Sequence, residues 1–251
     1  MAGARRNGVG MTRRTFFTGG VLAPLAARNW ERASFPDWSD EHVDKLLTDS
    51  PWARAVTLPF RFSASARQRF AQIGEPLGLP KGWPGSASKP GTGSRTPRID
   101  DGNAPPVQTE IYLIMRWASA LPVRQAMALH QFGRSGLQSA RASELLRGNE
   151  AEYVFEMAGF PAGMIPQGVK RFEAELMDSA RLLVNGRKAR RATAASVPEH
   201  GRHLIATLRF PRFENVSDGD GFIEFGAKAG PMEMGQKFRL RDMSYKGRLE
   251  L

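Results

Sequence analysis

The chain of 251 residues has only four histidines, and two of them fall in one short segment, Glu199-His200-Gly201-Arg202-His203. A carboxylate and two imidazoles are zinc-type ligands. The histidines are three apart rather than at the helical four, and Pro198 and Gly201 beside them describe a surface turn that feeds a strand. Asp218-Gly219-Asp220-Gly221 offers oxygen ligands of the calcium type. The rest of the calcium-loop spacing and its distal glutamate are missing, and Asp and Gly are ordinary turn residues. Cysteine is absent. That excludes disulfides, thiolate metal sites and a cysteine nucleophile. Arg134-Ser135-Gly136 lacks the strand and sharp elbow that expose a nucleophilic serine. No glycine pattern follows the first strand to cradle a nucleotide phosphate. The expectation is a chain without cofactor or metal.

What remains is charge. Arg187-Lys188-Ala189-Arg190-Arg191 is the densest basic run outside the amino terminus. Its chemistry suits an acidic glycan or an acidic protein surface. The competing reading is a solvated hairpin arm. Arg212, Arg239 and Arg241 extend the patch if their strands adjoin it. No nucleic-acid motif accompanies the run, so no specific nucleic-acid partner is expected. Arg116 and Trp117, at the end of the strongest strand, join Arg187, Lys188, Arg190 and Arg191 as candidate ligand or partner contacts.

The elements that must position these residues follow from the apolar periods. Ser39 caps a helix that begins at Asp40, with Trp38 and Val43 as a hydrophobic staple. That helix ends before Pro51. Residues 55–62 alternate as a strand, and Pro59 assigns it to a sheet edge. Residues 78–106 are rich in Pro, Gly and Ser and read as a loop or linker, with Trp83 as its notable aromatic. In 107–117, Val107, Thr109, Ile111, Leu113, Met115 and Trp117 share the core face of a strand. A helix capped by Ser119 follows, then a second short helix over 140–146. The carboxyl half reads as strands at 151–159, 203–210, 221–227, 235–241 and 243–251. A hairpin turns at Asn185-Gly186 in the type I′ form, after a helical turn or two at 167–177. Closely spaced strands with earlier helices predict an α+β fold, mainly an antiparallel β-sandwich with short N-terminal and central helices.

The amino terminus carries its own signal. Arg13-Arg14-Thr15-Phe16-Phe17 and the apolar run to Ala27 resemble a twin-arginine export signal, with cleavage after Ala27. The run is too short for a stable span. Residues 1–27 hold four arginines and no acid, so the formal charge falls from +11 to +7 on cleavage. The domain plan is a signal over 1–27, a packed segment over 28–77, the linker over 78–106 and a β-rich domain over 107–251.

Several segments carry a resemblance. Trp38, Lys45-Leu46-Leu47-Thr48-Asp49-Ser50-Pro51-Trp52-Ala53, Tyr112-Leu113-Ile114-Met115-Arg116-Trp117, Ser119-Ala120, Pro122-Val123-Arg124-Gln125-Ala126 and Phe238-Arg239-Leu240-Arg241-Asp242-Met243-Ser244-Tyr245-Lys246-Gly247-Arg248-Leu249 are such segments. In them the chain resembles a group of uncharacterised exported proteins of soil bacteria such as acidobacteria. The resemblance implies export and supplies no catalytic residue. The functional expectation is a noncatalytic binding or assembly protein of the cell envelope, periplasmic or secreted, with an envelope protein or an acidic glycan as partner. Its membrane contact would be limited to an uncleaved signal. The alternative is a periplasmic hydrolase acting on glycans through paired carboxylates.

Overall fold

Ser39 accepts a hydrogen bond from the backbone N–H of His42, and one of the free amides of the first helical turn is thereby met. The helix it starts, α1 (Asp40–Thr48), buries Val43, Leu46 and Leu47. In the computed structural model, residues 33–61, 108–148, 151–162, 165, 168–200 and 203–251 are described. The expected signal at 1–27 and the linker at 78–106 with Trp83 lie outside them.

After α1 come β1 (Ala53–Arg61), β2 (Gln108–Trp117), α2 (Leu121–Phe132), α3 (Ala140–Arg147), β3 (Glu152–Pro161) and α4 (Val169–Ser179). The carboxyl half adds β4 (Arg181–Val184), β5 (Arg190–Arg191), β6 (Ala194–Ser196), β7 (Glu199–His200) and β8 (His203–Pro211). It continues with β9 (Phe222–Ala229), β10 (Met232–Arg239), β11 (Ser244–Tyr245) and β12 (Arg248–Leu249). The first sheet runs β1-β2-β3-β8-β6, with β7 also on β8, and the second runs β10-β9-β4-β5. All recorded pairings are antiparallel. The fold is therefore the expected α+β class, dominated by antiparallel sheet. Pro59 sits on β1 at the edge of the first sheet, where a missing N–H costs no ladder bond.

The two sheets meet through aromatic rings. Phe155 of β3 stacks on Phe225 of β9 with centroids 4.2 Å apart. Trp117 meets Phe238 edge-on at 5.8 Å. Alternation explains the choice: Leu113, Met115 and Trp117 on β2 turn to the core, as do Ile223, Phe225 and Ala227 on β9. Helix α4 bridges the sheets. Its Glu173 accepts from Val197 N–H after β6, and its Glu175 accepts from Gly230 N–H after β9. Phe172 packs edge-on against Phe160 at 5.2 Å.

Three local expectations change. Helix α2 starts after Ala120, not Ser119, because its first amide is met from far away: Leu121 N–H donates to the Glu250 carboxylate at 3.2 Å. Asn185 does not take the positive φ of a type I′ turn; only Gly186 does, at 71°. The segment expected as one strand over 243–251 folds back on itself as β11 and β12. The positive φ values of that reversal, 50° and 74°, belong to Lys246 and Gly247, the pattern a type I′ hairpin needs.

Candidate binding surface

The basic run does not act as one patch. Arg187 turns inward across the sequence. Its guanidinium donates to both carboxylate oxygens of Asp220, at 3.1 and 2.9 Å, to Asn215 O at 2.8 Å, and to Glu214 O. It is a clamp on the 214–220 loop. Arg190 lies with its guanidinium 5.4 Å from the Phe213 ring centroid. Arg212 covers Tyr153 in the same way at 4.7 Å. Burial pushes the Tyr153 hydroxyl above its ordinary pKa, while the Arg212 charge pulls it back. Lys188 and Arg191 are left exposed.

Arg116 and Trp117 are not surface contacts, which corrects the expectation for both. Trp117 is fully buried between Tyr153, Phe155 and Phe238. Arg116 is 4% exposed and bonded to the Glu156 carboxylate on the neighbouring strand. The alternation that placed Trp117 in the core could not show that the opposite face of β2 is covered too.

The metal-type segments have other roles. His200 and His203 stand opposite each other where β7 meets β8. Among the described residues no group of three or more His, Asp or Glu is placed to hold a metal ion. Asp220 serves the turn rather than a cation: its carboxylate accepts from Ser217 N–H at 2.8 Å and from Arg187. Those donors hold its pKa below the usual carboxylate value, the Ser217 amide first and Arg187 next.

A cavity of about 380 Å³ is lined by Trp38, Asp40, Val43, Asp44, Leu129, His130, Gly133 and Arg134. Asp40 and Asp44 are four apart on α1, so they belong to one wall. Glycoside hydrolysis by two carboxylates needs the acids to flank the scissile bond. Among the described residues the opposite lining supplies His130 and Arg134 and no acid.

The open face of the second sheet is built differently. Residues of β9 and β10 alternate between core and solvent, so Phe222, Glu224, Gly226 and Lys228 lie outside, opposite Arg239, Lys237, Gly235 and Glu233. Arg181 and Leu183 of β4 join them, and Arg191 of β5 stands directly opposite Arg181. On this face Arg181, Arg191, Lys228, Lys237 and Arg239 outnumber Glu224 and Glu233. Phe222 is 45% exposed, with the Arg239 guanidinium 5.7 Å from its centroid. Phe222, Arg239, Arg241, Asp218 and Gly221 line a hollow of about 250 Å³. Arg239 and Arg241 share the single carboxylate of Asp242, at 3.9 and 3.7 Å.

The sequence pointed to Arg239 and Arg241 only as extensions of the Arg187 run. They lie instead by the opposite edge of the second sheet, with β4 and β9 between. Phe222 was missed. Its signal was present: in Phe222-Ile223-Glu224-Phe225 it shares a period-two face with glutamate, the wet face of the strand. No protein-family model, no curated protein and no solved structure matches the chain.

Proposed function

We propose that the protein is a noncatalytic binding protein of the cell envelope and that its ligand is an acidic glycan held on the open face of the second sheet. The observation that carries this reading is Phe222, an exposed ring flanked by Arg239 and Arg241 in one hollow. A sugar ring stacks on an aromatic face, and a guanidinium fork grips a carboxylate with paired hydrogen bonds. Across the same face, Arg181, Arg191, Lys228, Lys237 and Arg239 outnumber Glu224 and Glu233, which leaves positive charge for a ligand. The Arg181–Arg191 pair supports the same reading. The Arg181 guanidinium is held by Asp178 O at 3.0 Å and Ser179 O at 2.5 Å, so exposed Arg191 is the cation of the pair that a ligand would meet. Export by the twin-arginine-like signal would put the protein where such glycans occur.

The test is isothermal titration of the full chain with polygalacturonate, with neutral dextran as control. Binding of the acidic polymer alone, weakened at least about tenfold by Phe222→Ala or Arg241→Ala, is the expected result. It should also weaken as salt rises from 50 to 500 mM, since exposed charges are screened. Equal binding of both polymers, or acidic binding unchanged by both substitutions, would sink the proposal.

A further inference from the structure

The edges of the two sheets are not treated alike. Strand β1 carries Pro59, while β5, β6 and β7 are only two or three residues long. Both devices discourage pairing with another chain. Strand β10 has neither. It is an eight-residue edge without proline, and its register with β9 has no shift. Among the described residues the one strand hydrogen-bonded to it is β9, while β1 of the first sheet packs near it.

The phase of its open edge can be read. Leu240 N–H donates to Gly221 O at 2.9 Å, which continues the β9–β10 ladder by one pair. Bonded and non-bonded pairs alternate in an antiparallel ladder. Counting back from Leu240, the residues whose N–H and C=O point away from β9 are Arg239, Lys237, Gly235 and Glu233; Lys237 O accepts from the Gln236 side chain at 2.8 Å, a bond that a pairing strand would replace. Gly235 has no side chain and is exposed, so its backbone is itself open.

The geometry points to a second copy of this chain as the occupant of that edge, paired antiparallel about a two-fold axis at Gly235. In this register Gly235 faces the partner's Gly235, and each Glu233 faces the partner's Lys237. The charges then alternate across the joined sheets. Lys228 already meets Glu233 at 3.5 Å, and Lys237 meets Glu224 at 3.2 Å. The row becomes Lys228, Glu233, the partner's Lys237, the partner's Glu224. On the inner face Met232 stands opposite the partner's Phe238. The strand is thus complementary to itself, as a two-fold interface requires, and opposite charges facing across strands favour the pairing. The paired sheet would be continuous through both copies. This inference stands on the edge and not on the glycan reading.

Sedimentation velocity without any glycan tests it, so failure here leaves the glycan titration unaffected. The full chain should sediment at twice its monomer mass at 100 µM. Glu233→Lys alone puts Lys opposite Lys, and Lys237→Glu alone puts Glu opposite Glu. Each should be monomeric while keeping the wild-type circular dichroism. Mixed one to one, they restore opposite charges at both pairs and should dimerise. A monomeric wild type, single variants that stay dimeric, or a mixture that stays monomeric would each overturn the proposal. If the charge variants fail to fold, Gly235→Cys gives a second test. A Cβ there meets nothing closer than Phe225 O at 3.8 Å, and the chain has no cysteine of its own. Mild oxidation should give a disulfide-linked dimer faster than it does for Glu214→Cys, and equal rates would overturn the register.

Discussion

Arg187 and Asp220 are 33 positions apart in the chain and join through two hydrogen bonds, at 3.1 and 2.9 Å. The contact takes the first residue of the basic run out of any binding patch. It makes that residue the clamp of the loop that leads into β9, and so places Phe222 at the rim of the hollow.

The clamp has a pH signature. The Asp220 pKa is lowered in the folded chain by the Ser217 amide and Arg187. Its contribution is therefore complete above the unfolded aspartate value of about 3.9 and is lost as pH falls through the lower folded value. Asp220→Asn should melt below the wild type at pH 7, and the two melting curves should converge toward pH 2. A gap that stays constant with pH would contradict this account.

Arg116 and Glu156 form an ion pair with side chains only 5% and 11% exposed. Removing one partner strands a buried charge, so Arg116→Met should cost about 3–5 kcal/mol. Replacing both, as Arg116→Met with Glu156→Leu, should recover much of that loss. Urea denaturation of the single and double variants measures the difference.

Gly148 ends α3 with φ 63° and ψ −170°, a backbone region open essentially to glycine alone. A Cβ there would also come within 2.5 Å of the Arg124 guanidinium, which donates to Leu146 O. Gly148→Ala should destabilise by about 1–3 kcal/mol through the backbone, with the clash added. Arg124→Ala made in the same chain should remove the clash part, so the double variant should lose less than the sum of the two single losses in thermal melts.

Glu250 accepts from Leu121 N–H at 3.2 Å and supplies the cap that Ala120 lacks. Glu250→Ala should cost about 1 kcal/mol, the usual worth of an N-cap. Hydrogen exchange at the first turn of α2 should rise with it. Unchanged protection there would show that the carboxylate does not hold that end.

Much of the architecture was readable because it depends on neighbours in the chain. The alternation from Ile111 to Trp117 marks a strand with one core face, and Ser39 before Asp40 marks a helix start. Pro59 marks an edge, since a residue without an N–H is poorly placed inside a sheet. These signals act within a few residues, so no knowledge of the whole molecule is needed to read them.

Other features were decided only by which surfaces meet. A local cap at Ser119 gave way to Glu250, 129 positions from the Leu121 amide it accepts from. The expected turn at Asn185-Gly186 has a positive φ only at Gly186, and next to it Arg187 is drawn to Asp220. Lys246 and Gly247 reverse the last segment, so that Tyr245 can donate to Gln125 at 2.9 Å and Trp52 to Glu250 O at 2.8 Å. The surface of the second sheet belongs to the same class. Side-chain alternation puts Phe222, Glu233 and Lys237 on a wet face, but strand order alone brings Phe222 beside Arg239 and, among the described residues, leaves β10 at a sheet edge. Local periods encode which way a side chain points. Only the closed tertiary structure decides what it points at, because long-range contacts depend on the packing of every element between.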